Sequence, residues 1–572
     1  SAALVGATGT AVLGFTGAAA VGITFVGSLA LSMIGQALQP KAKKPTPATP
    51  FATEAESSTA MIRQAVMPRR RVYGEVRISG VLTFYEATNG NQNHHYVVTL
   101  CDGPVAGIGT VWLDDQPIYD DQIGADGWVT DGDFTDKVRI KKHLGSLSQA
   151  ADADLIGAIA RLDSTFRGQG IAYIYIEVDW DRDTFPNGLP DVSAWVRGQE
   201  VTDPRTAAVG WTDNAELGLR HYLMDPITCG LGVMPADLDA TVWDAGANTC
   251  DEIADVLQVD HDVASVDVDT GRFTLEDEVL RFATGDQVEV SSTGTLPAGL
   301  SAATDYFVII DREAKVPRLA LADSLANARA RVSLDITDAG SGVLTISKTG
   351  EPRYTAGGMV SADKAPHENI EDILSAMGGS LTTGGSGWRA GPGHYTAPTV
   401  TFDEDDMVTP LKVSTRHPRR ERFNSVIGKY VPGAQSDGQP VSYPVVEPLT
   451  YKTADGGTRV QTTLDLPFTN RPATAQRLAR RHLEAHRRER TIEVTVNLRG
   501  LLVQPGDVVG ISNARRGWTA KPFRVVVWRL GPGPDGGMAV GLTLRETHAD
   551  VDAWNPANDE TLFQPGPRGV AG

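Results

Sequence analysis

The segment 67–206 constrains the fold most, because apolar and polar residues alternate there in short runs that end at turn residues. The alternation covers 74–85, 96–100 and 171–178. Turn residues occur at three places: Asn89-Gly90, Asp102-Gly103 and Asn187-Gly188. Side chains of a strand point alternately to its two faces, so this pattern predicts short strands with one buried face. Because no catalytic or ligand-binding pattern organises these strands, we interpret them as a rigid β platform to which the rest of the chain is attached.

Composition limits what else the chain can form. Its 572 residues suggest roughly three to five domains, at a prior of about one domain per 150 residues. With 60 Gly, 33 Pro and only 22% charged residues, the chain suits short strands and tight turns and is unlike a coiled coil or a disordered chain. The formal net charge of −19 is opposite to that of a typical nucleic-acid-binding protein. An acidic surface lets DNA pass without binding, although simple solubility explains the charge equally well.

The three cysteines, Cys101, Cys229 and Cys250, are odd in number and far apart in the sequence. No CxxC pair occurs among them, so their pattern predicts neither a disulfide framework nor a zinc ribbon. This use of cysteine fits a protein that folds in a reducing cytoplasm.

The first 40 residues form an uncharged apolar segment, since Lys41 is the first charged residue. A bilayer is spanned by about 20 apolar residues, so the segment is long enough to cross one. Small residues spaced for close helix–helix packing occur at Gly14, Ala18 and Gly22. A signal peptide has a basic start and a shorter apolar core, so we exclude export. We predict an apolar helical arm that is either buried within an oligomer, which we favour, or enters a membrane. A Lys- and Pro-rich linker follows over 41–60.

Helical periodicity appears between the strands of the N-terminal half. Over 151–166 the apolar residues fall on one side of a predicted helix: Leu155, Ile156, Ile159 and Leu162. A second helix is predicted over 213–226, with Asp213 as its N-cap and Pro226 as its stop. Residues 235–257 are predicted to continue this helical region.

Two more helices are predicted in the C-terminal half. The first has one apolar face and ends at a glycine pair: Ile370, Ile373, Leu374 and Met377, then Gly378-Gly379. The second has a predicted cap, a proline in its first turn and a buried side, which are Thr469-Asn470, Pro472, and Leu478 with Leu483. Strand and turn patterns over 409–431 and after the second helix predict further β structure.

The spacing of strands and turns changes near residue 262, which predicts a small β module inserted over 262–349. Its turns are predicted at Thr270-Gly271, Gly285-Asp286, Pro297-Ala298-Gly299 and Gly340-Ser341-Gly342. Because the module interrupts another domain, we expect it to project outward. Its role is open between a carbohydrate-binding decoration and a spacer, and we favour the spacer.

No residue is predicted to be catalytic or to hold a cofactor or a metal. The acidic clusters are Asp131/Asp133/Asp136, Asp403/Glu404/Asp405/Asp406 and Asp267/Asp269. None has the spacing and the distal Glu of a calcium loop, so turn and cap roles are predicted. His94 and His95 point to opposite faces of a strand, and His221 has no second ligand at i+4, so it is predicted to be packed or solvated. Because local motifs of serine hydrolases, zinc proteases and P-loop enzymes do not occur, we predict that the chain is not an enzyme.

The helix after Pro472 carries the one basic patch of the acidic chain: Arg477, Arg480, Arg481, Arg487, Arg488 and Arg490. Contact with DNA phosphates is one interpretation, but no aromatic residues alternate with the arginines. Contact with acidic surfaces of neighbouring subunits is another. A solvated face also explains the pattern, with internal pairs from Glu484 to Arg480, Arg481, Arg487 and Arg488. We favour subunit contact and solvation over DNA binding.

The order and spacing of several motifs resemble a known family. These motifs are RRVYGEVRISGVLTF, VWLDDQPI, HLGS, FRGQGIAYIYIEVDWDRDTFPNGLPDVSAWVRG, VTDPRT and ERFNSVIGKYV. Their succession resembles the tail hub proteins of long-tailed phages, the siphophage central tail tip proteins that include the tip attachment protein of phage lambda. The resemblance covers most of 60–550, and its motifs are structural rather than catalytic.

The resemblance implies a structural virion protein that forms a homotrimeric hub at the distal end of a long non-contractile tail. Such a hub closes the tail tube, connects it to fibre or receptor-binding proteins, and opens for DNA ejection. The implied partners are the distal tail protein, other tail tip or baseplate proteins, and the tape-measure protein through residues 2–38. DNA passes through without specific binding, assembly takes place in the host cytoplasm, and the arm is a candidate for contact with the host membrane. The alternative is a cell-wall-degrading or membrane-inserting component that acts during genome entry.

The predicted fold is multidomain and mainly β, with α+β hub domains that contain baseplate-hub-like β-barrels. The predicted division is an apolar helical arm at 1–40, a linker at 41–60, a hub β/α platform at 61–261, an inserted β module at 262–349, a continuation of the hub domain at 350–407, a second, baseplate-hub-like domain at 408–550 and a C-terminal linker at 551–572.

Overall fold

The computed structural model describes Met61 and residues 67–562, apart from gaps at 187, 227–228, 277–281, 312, 317, 416–421, 434–437 and 535. The predicted arm at 1–40 and the linker at 41–60 lie outside the described residues. Among the residues that are described, no helix is both long and apolar enough to cross a membrane. Strands greatly outnumber helices, so the prediction of a mainly β chain is confirmed.

The N-terminal platform consists of two antiparallel sheets that pack face to face. Strand β1 (Arg70–Tyr73) precedes these sheets, whose strands are β2 (Glu75–Ser79), β3 (Val81–Thr88), β4 (Asn93–Asp102), β5 (Val105–Leu113), β6 (Gln116–Ile118), β7 (Val138–His143), β8 (Ile171–Asp179), β9 (Val192–Thr202) and β10 (Val209–Trp211). One sheet has the order β3-β4-β8-β7, and the other has the order β10-β9-β5-β6 with β2 also on β9. Side chains from both sheets meet in one core, for example Val98, Ile174, Val111 and Val196. The predicted strands of this segment are confirmed.

The predicted helix over 151–166 is much shorter in the structure. Helix α1 covers only Ala153–Ala158, with Asp152 Oδ1 accepting a hydrogen bond from the Leu155 amide (2.9 Å). It ends because Ile159 adopts an extended conformation, with φ −116° and ψ 101°. Leu155 and Ile159 still pack on the outer face of the β4–β8 sheet, whereas Ile156 is only partly buried. The apolar periodicity therefore correctly predicts a surface that packs on the sheet, but it overestimates the length of the helix.

Two helices follow the platform, α2 (Ala215–Met224) and α3 (Ala240–Asp251), with a 3-10 turn at Pro235–Asp237 between them. The predicted N-cap of α2 is wrong by one residue. Asn214, and not Asp213, accepts hydrogen bonds from the amides of the first turn. The helical prediction over 235–257 is wrong beyond α3, because residues from Ile253 onward pair with a distant strand.

The next six strands close into a barrel. They are β11 (Ile253–Asp267), β12 (Arg272–Leu275), β13 (Gln287–Ser292), β14 (Tyr306–Asp311), β15 (Arg318–Ala322) and β16 (Leu344–Pro352), with helix α4 (Leu325–Arg329) after β15. The closed order is β11-β12-β15-β14-β13-β16, around a core that includes Phe273, Val308, Leu319 and Ile346. The predicted module limits, 262 and 349, lie within the first and last strands. At the predicted turn near Gly340, φ is +70° and a Cβ would lie 2.4 Å from the Thr295 carbonyl oxygen, so the turn requires glycine.

The chain then returns to the N-terminal part of the fold. Strand β17 (Gly358–Ser361) pairs with β1, so segments on both sides of the barrel share one sheet and one core. The following elements are helix α5 (Pro366–Ser375) and the hairpin β18 (Ser380–Gly384) and β19 (Gly387–Gly391). The predicted apolar face of α5 is confirmed, because Ile370, Ile373, Leu374 and Met377 are buried. The barrel therefore lies in the chain between two segments that pair and pack with each other.

The C-terminal part centres on a six-stranded sheet of order β20-β27-β28-β29-β26-β21. Its elements in chain order are β20 (Val400–Phe402), β21 (Lys412–Ser414), β22 (Ser425–Ile427), β23 (Lys429–Tyr430), β24 (Val441–Ser442), α6 (Leu449–Ala454), β25 (Gln461–Thr463), α7 (Pro472–Arg487), β26 (Thr491–Val496), β27 (Val508–Asn513), β28 (Trp518–Pro532), β29 (Met538–Glu546) and α8 (Pro556–Asp559). Short 3-10 turns lie at Asp120–Gln122, Glu404–Asp406, Leu498–Leu502, Ala514–Arg516 and Ala549–Asp552.

The start of α7 differs from the prediction. Pro472 is the first helical residue, as predicted, but Arg471 occupies the N-cap position and no side chain caps the helix. Asn470 is not a cap, because its Oδ1 accepts a hydrogen bond from Thr355 Oγ1 (2.9 Å). The predicted buried side is confirmed, since Leu478 and Leu483 lie in the core.

Candidate functional site

Asp403 and Asp267 accept hydrogen bonds within local turns, whereas Asp131 binds a residue far away in the sequence. Asp403 caps the 3-10 turn at Glu404–Asp406 by accepting from the Asp405 and Asp406 amides, and Asp267 accepts from Thr270 Oγ1 (2.7 Å). The predicted cap and turn roles are confirmed for these two residues. Asp131 instead forms an ion pair with Lys315 of the barrel (2.6 Å). In the described part of the chain, no three His, Cys, Asp or Glu residues are placed to share a metal ion.

The histidines singled out by the sequence are packed against aromatic residues. His94 lies 2.7 Å from the Tyr85 hydroxyl, and His95 lies 2.9 Å from the Tyr175 hydroxyl. The two rings therefore have separate neighbours, as predicted for adjacent residues of a strand. His221 of α2 lies 2.9 Å from the Tyr73 hydroxyl, so the prediction of a packed or solvated histidine is confirmed in its packed form.

Replacing His221 with asparagine should flatten the dependence of stability on pH. Burial and the nearby Arg71 lower the pKa of His221 to about 4, from an ordinary value of 6.5. Between these values the unfolded chain takes up a proton that the folded chain does not. The free energy of unfolding therefore falls by about 2–3 kcal/mol as the pH drops from 6.5 to 4. Urea unfolding at pH 7 and pH 4.5 measures this slope. The control is His548→Asn, because His548 is exposed and its replacement should leave the pH dependence of the wild type unchanged. If His221→Asn shows the same pH dependence as the wild type and the control, the assignment is contradicted.

The three cysteines are free thiols. Burial raises the pKa of Cys101 to about 12 and that of Cys229 to about 11, and it also raises the pKa of Cys250. Since the thiolate is the reactive form, these side chains behave as small apolar residues at neutral pH.

The arginines of α7 bind carboxylates of the same chain rather than facing solvent. Two of the predicted pairs with Glu484 form, to Arg480 and Arg488 at 3.9 Å each. The pairs predicted for Arg481 and Arg487 are wrong, because these residues bind Asp552 and Asp455. Further partners connect the patch to the end of the described chain: Arg480 with Asp559, Arg488 with Asp550 and Arg490 with Glu546. Residues 549–560 therefore bind Arg480, Arg481 and Arg488, which contradicts a solvated face at these three positions.

A buried network of charged side chains joins three parts of the fold, and we call it the junction network. Its members are five cations, Arg205, Arg329, Lys348, Arg471 and Arg477, and five carboxylates, Asp203, Asp213, Asp251, Asp286 and Glu351. The segment before the barrel supplies Arg205 and three aspartates. The barrel and α4 supply one arginine, the lysine, Asp286 and Glu351, and the last two arginines lie at the start of α7.

Arg471 lies at the centre of the junction network and is only 3% exposed. Its Nη1 binds Asp286, and its Nη2 donates to the Thr284 carbonyl oxygen (2.8 Å). Its Nε donates to Thr355 Oγ1 (3.2 Å), and Nη2 lies 3.7 Å from Asp213 Oδ2. Burial lowers the pKa of Arg471 to about 10, so the side chain is still charged at neutral pH. One guanidinium thus contacts both the barrel and the body that carries it.

The other members complete the connection. Glu351, which is fully buried, accepts a hydrogen bond from Thr474 Oγ1 of α7 (2.8 Å) and lies 3.6 Å from Arg477 Nη1. Arg329 binds Asp213 and Asp251, at 2.7 Å each, and so shares Asp213 with Arg471. Such pairs are rigid in orientation because buried charges require well-aligned partners. The arrangement can hold the barrel in one orientation on the body, and it offers no nucleophile or acid–base pair aimed into a cleft.

Sequence reasoning missed this network. The local sequence predicts a helix cap at Asp213 and a turn at Asp286, and it predicts no role for Arg471. The Arg471–Asp286 contact joins residues that are 185 positions apart, so no local spacing could predict it. A local signal is the pair of charged residues, Lys348 and Glu351, within the same strand, β16.

Comparison with known proteins gives one match to a family. Residues 365–528 match the model of a family described as putative phage tail protein. This segment runs from α5 to β28 and includes the start of α7 with its two network arginines. The match supports the coarser part of the prediction, a structural protein of phage tails. No curated protein sequence matches the chain.

Several solved structures are similar to the chain at low sequence identity. A chain in the virion of a native gene transfer agent particle is 15% identical, with 86% of this chain and 88% of that chain covered and a TM-score of 0.47. A tail protein from Neisseria meningitidis MC58 is 15% identical over 52% of this chain and 98% of that one, with a TM-score of 0.27. The 43 kDa tail protein of prophage MuSo2 from Shewanella oneidensis is 12% identical over 51% and 94%, with a TM-score of 0.25. Because these TM-scores are below 0.5, we base the proposed function on the family match and the geometry.

Proposed function

We propose that the chain is a non-enzymatic structural component of a phage tail or of a related tail-like particle. The observation that carries this proposal is the match of residues 365–528 to a family of putative phage tail proteins. The junction network is consistent with it. A protein that works by keeping its shape under load benefits from buried ion pairs that fix the orientation of its parts, and it needs no reactive group.

In its finer form the proposal places three copies in a ring that forms the hub at the distal end of a long non-contractile tail. The ring closes the tail tube, connects it to fibre or receptor-binding proteins, and opens for DNA ejection. The distal tail protein and other tip or baseplate proteins are its neighbours, and the tape-measure protein meets residues 2–38. Support for this form comes from the motif succession over 60–550 and from a net charge of −19, which disfavours retention of DNA in a lumen.

Deletion of the encoding gene tests the structural role. We expect lysates of the deletion strain to contain filled heads without functional tails, and expression of the protein in trans to restore infectivity. Mass spectrometry of purified wild-type particles should detect the chain as a stoichiometric component. Normal tails in the deletion strain, or absence of the chain from purified particles, would overturn the proposal.

A membrane-inserting component is the second candidate, because the first 40 residues carry no charge. This role and burial of the arm within the tail give opposite results when residues 2–38 are deleted. Deletion abolishes leakage of dye from liposomes if the arm inserts into membranes. If the arm is buried in the tail, the full chain causes no leakage and the deletion impairs tail assembly instead.

A zymogram on cell-wall material checks the non-enzymatic assignment, and a cleared band would contradict it.

A further inference from the structure

A cleft of about 620 Å³ lies between the outer face of the six-stranded sheet and helix α7. Its walls come from α5, β25, α7, β28 and β29. Arg524 of β28 and Arg545 of β29 face it from directly opposite positions on neighbouring strands. Two like charges at directly opposed positions repel each other, so this arrangement costs the empty protein stability.

The two guanidinium groups are not neutralised by the protein around them. Arg524 donates to the His394 carbonyl oxygen (3.0 Å), and Arg545 donates to the Ala485 carbonyl oxygen (3.2 Å). Four carboxylates also line the cleft, Glu371, Asp372, Asp465 and Glu546. Within the described residues, none of them forms an ion pair with either arginine. Glu546 is bound by Arg490 and Lys521, and Asp372 is bound by Lys364.

The other charged groups near the pair are already bound or neutral. Asp507 acts against the positive charge of Arg524, but Arg389 binds this carboxylate at 2.9 Å. Arg481 also lines the cleft, but Asp552 neutralises it. Burial, with repulsion from Arg481 and Arg545, lowers the pKa of Arg524 to about 10. Burial together with Arg545 lowers the pKa of His482 to about 4, so this histidine is neutral and adds no competing charge. The nearby arginines Arg471, Arg477 and Arg481 each have a carboxylate partner. Arg524 and Arg545 line the cleft without such a partner among the described residues.

The cleft also has an apolar and aromatic wall. Phe423 stacks on His486 with ring centroids 4.0 Å apart and on His482 at 5.4 Å. Leu464, Leu466 and Val526 contribute further apolar surface. The volume is far larger than an inorganic anion requires, and the combination of a cationic floor with an apolar wall suits a side chain on a peptide rather than a free ion.

We propose that this cleft binds an acidic peptide segment of a neighbouring protein chain, which places a carboxylate between Arg524 and Arg545. Planar guanidinium groups bind a carboxylate through paired charge-assisted hydrogen bonds, and an apolar neighbour of that carboxylate contacts Phe423 and Val526. The bound carboxylate supplies the counter-charge that the cleft lacks. The proposal does not depend on where the chain lies in a particle.

Fluorescence anisotropy with a labelled peptide of alternating Glu and Leu tests the proposal on the full chain. We expect saturable binding that weakens at least roughly tenfold in Arg524→Gln and in Arg545→Gln, because each substitution removes a charge-assisted contact. Arg529→Gln is the matched control, since Arg529 lies on the same strand but is exposed and outside the cleft. It should bind within about twofold of the wild type. Thermal melting of each variant verifies folding. If one of the two cleft variants does not fold, the other still tests the proposal.

Inorganic phosphate and a peptide of alternating Gln and Leu separate the alternatives. Competition by phosphate only at concentrations far above that of the acidic peptide, with no binding of the Gln peptide, supports the proposal. Binding of phosphate as tight as that of the acidic peptide would overturn it in favour of a small-anion site. Equal binding of the Glu and Gln peptides, or equal binding by all three variants, would overturn it as well.

Discussion

Replacing Arg471 with alanine is expected to lower the free energy of unfolding by about 3–5 kcal/mol, which is the usual cost of breaking a buried ion pair. The substitution leaves Asp286 and Glu351, both fully buried, with Lys348 as their nearest remaining cation within the junction network. Urea unfolding at pH 7 measures the loss. Arg490→Ala is the matched control, because Arg490 forms a partly exposed pair with Glu546 and should cost no more than about 1 kcal/mol.

A double variant separates a lost pair from lost packing. If the cost of Arg471→Ala comes from a stranded carboxylate, adding Asp286→Asn to Arg471→Ala should restore part of the lost stability. A loss below about 1 kcal/mol for the single variant, or a double variant less stable than the sum of its single changes, would contradict the role assigned to the network.

Replacing Glu216 with methionine is expected to raise the free energy of unfolding by about 1–3 kcal/mol at pH 7. Glu216 lies in the first turn of α2, is fully buried, and neither carboxyl oxygen has a hydrogen-bond partner among the described residues. Burial raises its pKa well above the ordinary value. The folded chain therefore keeps a proton that the unfolded chain releases. The loss of stability that this difference causes is absent below the pKa of Glu216 in the unfolded chain, and it grows as the pH rises.

The gain from Glu216→Met should therefore shrink when urea unfolding is repeated near pH 4. Glu216→Gln is the control that preserves size and polarity while removing the titration. It should remove the pH dependence without giving the full gain, because the buried amide is still unsatisfied. A methionine variant that is less stable than the wild type at both pH values would show that Glu216 has a stabilising partner after all.

Secondary structure that depends on neighbouring residues in the sequence could be predicted. The strands of the platform follow from alternation, and the apolar face of α5 follows from helical spacing that ends at Gly378. The pattern of strands and turns after residue 262 predicts β structure, but it does not predict that six strands close into a barrel. Its closure depends on pairing between β11 and β16, whose first partners, Ile253 and Pro352, are about a hundred residues apart.

The errors share a physical origin in tertiary contacts that override local preference. Asp213 has the composition of an N-cap, but Arg329 and Arg471 bind it, and Asn214 takes the cap. The arginines of the chain's basic helix have the spacing of a solvated face, but residues 549–560 bind Arg480, Arg481 and Arg488. Like-charged partners on neighbouring strands, Arg524 and Arg545, could be recognised only when the register of β28 and β29 was known.

Electron cryo-microscopy of intact particles tests the central claim most directly, that this chain holds shape at the end of a tail. The account predicts density for three copies related by a three-fold axis that coincides with the tail axis, at the distal end of the tube, with the barrel of residues 253–352 directed outward. Density for the chain as a single copy off the axis, or its complete absence from purified tails, would contradict the account.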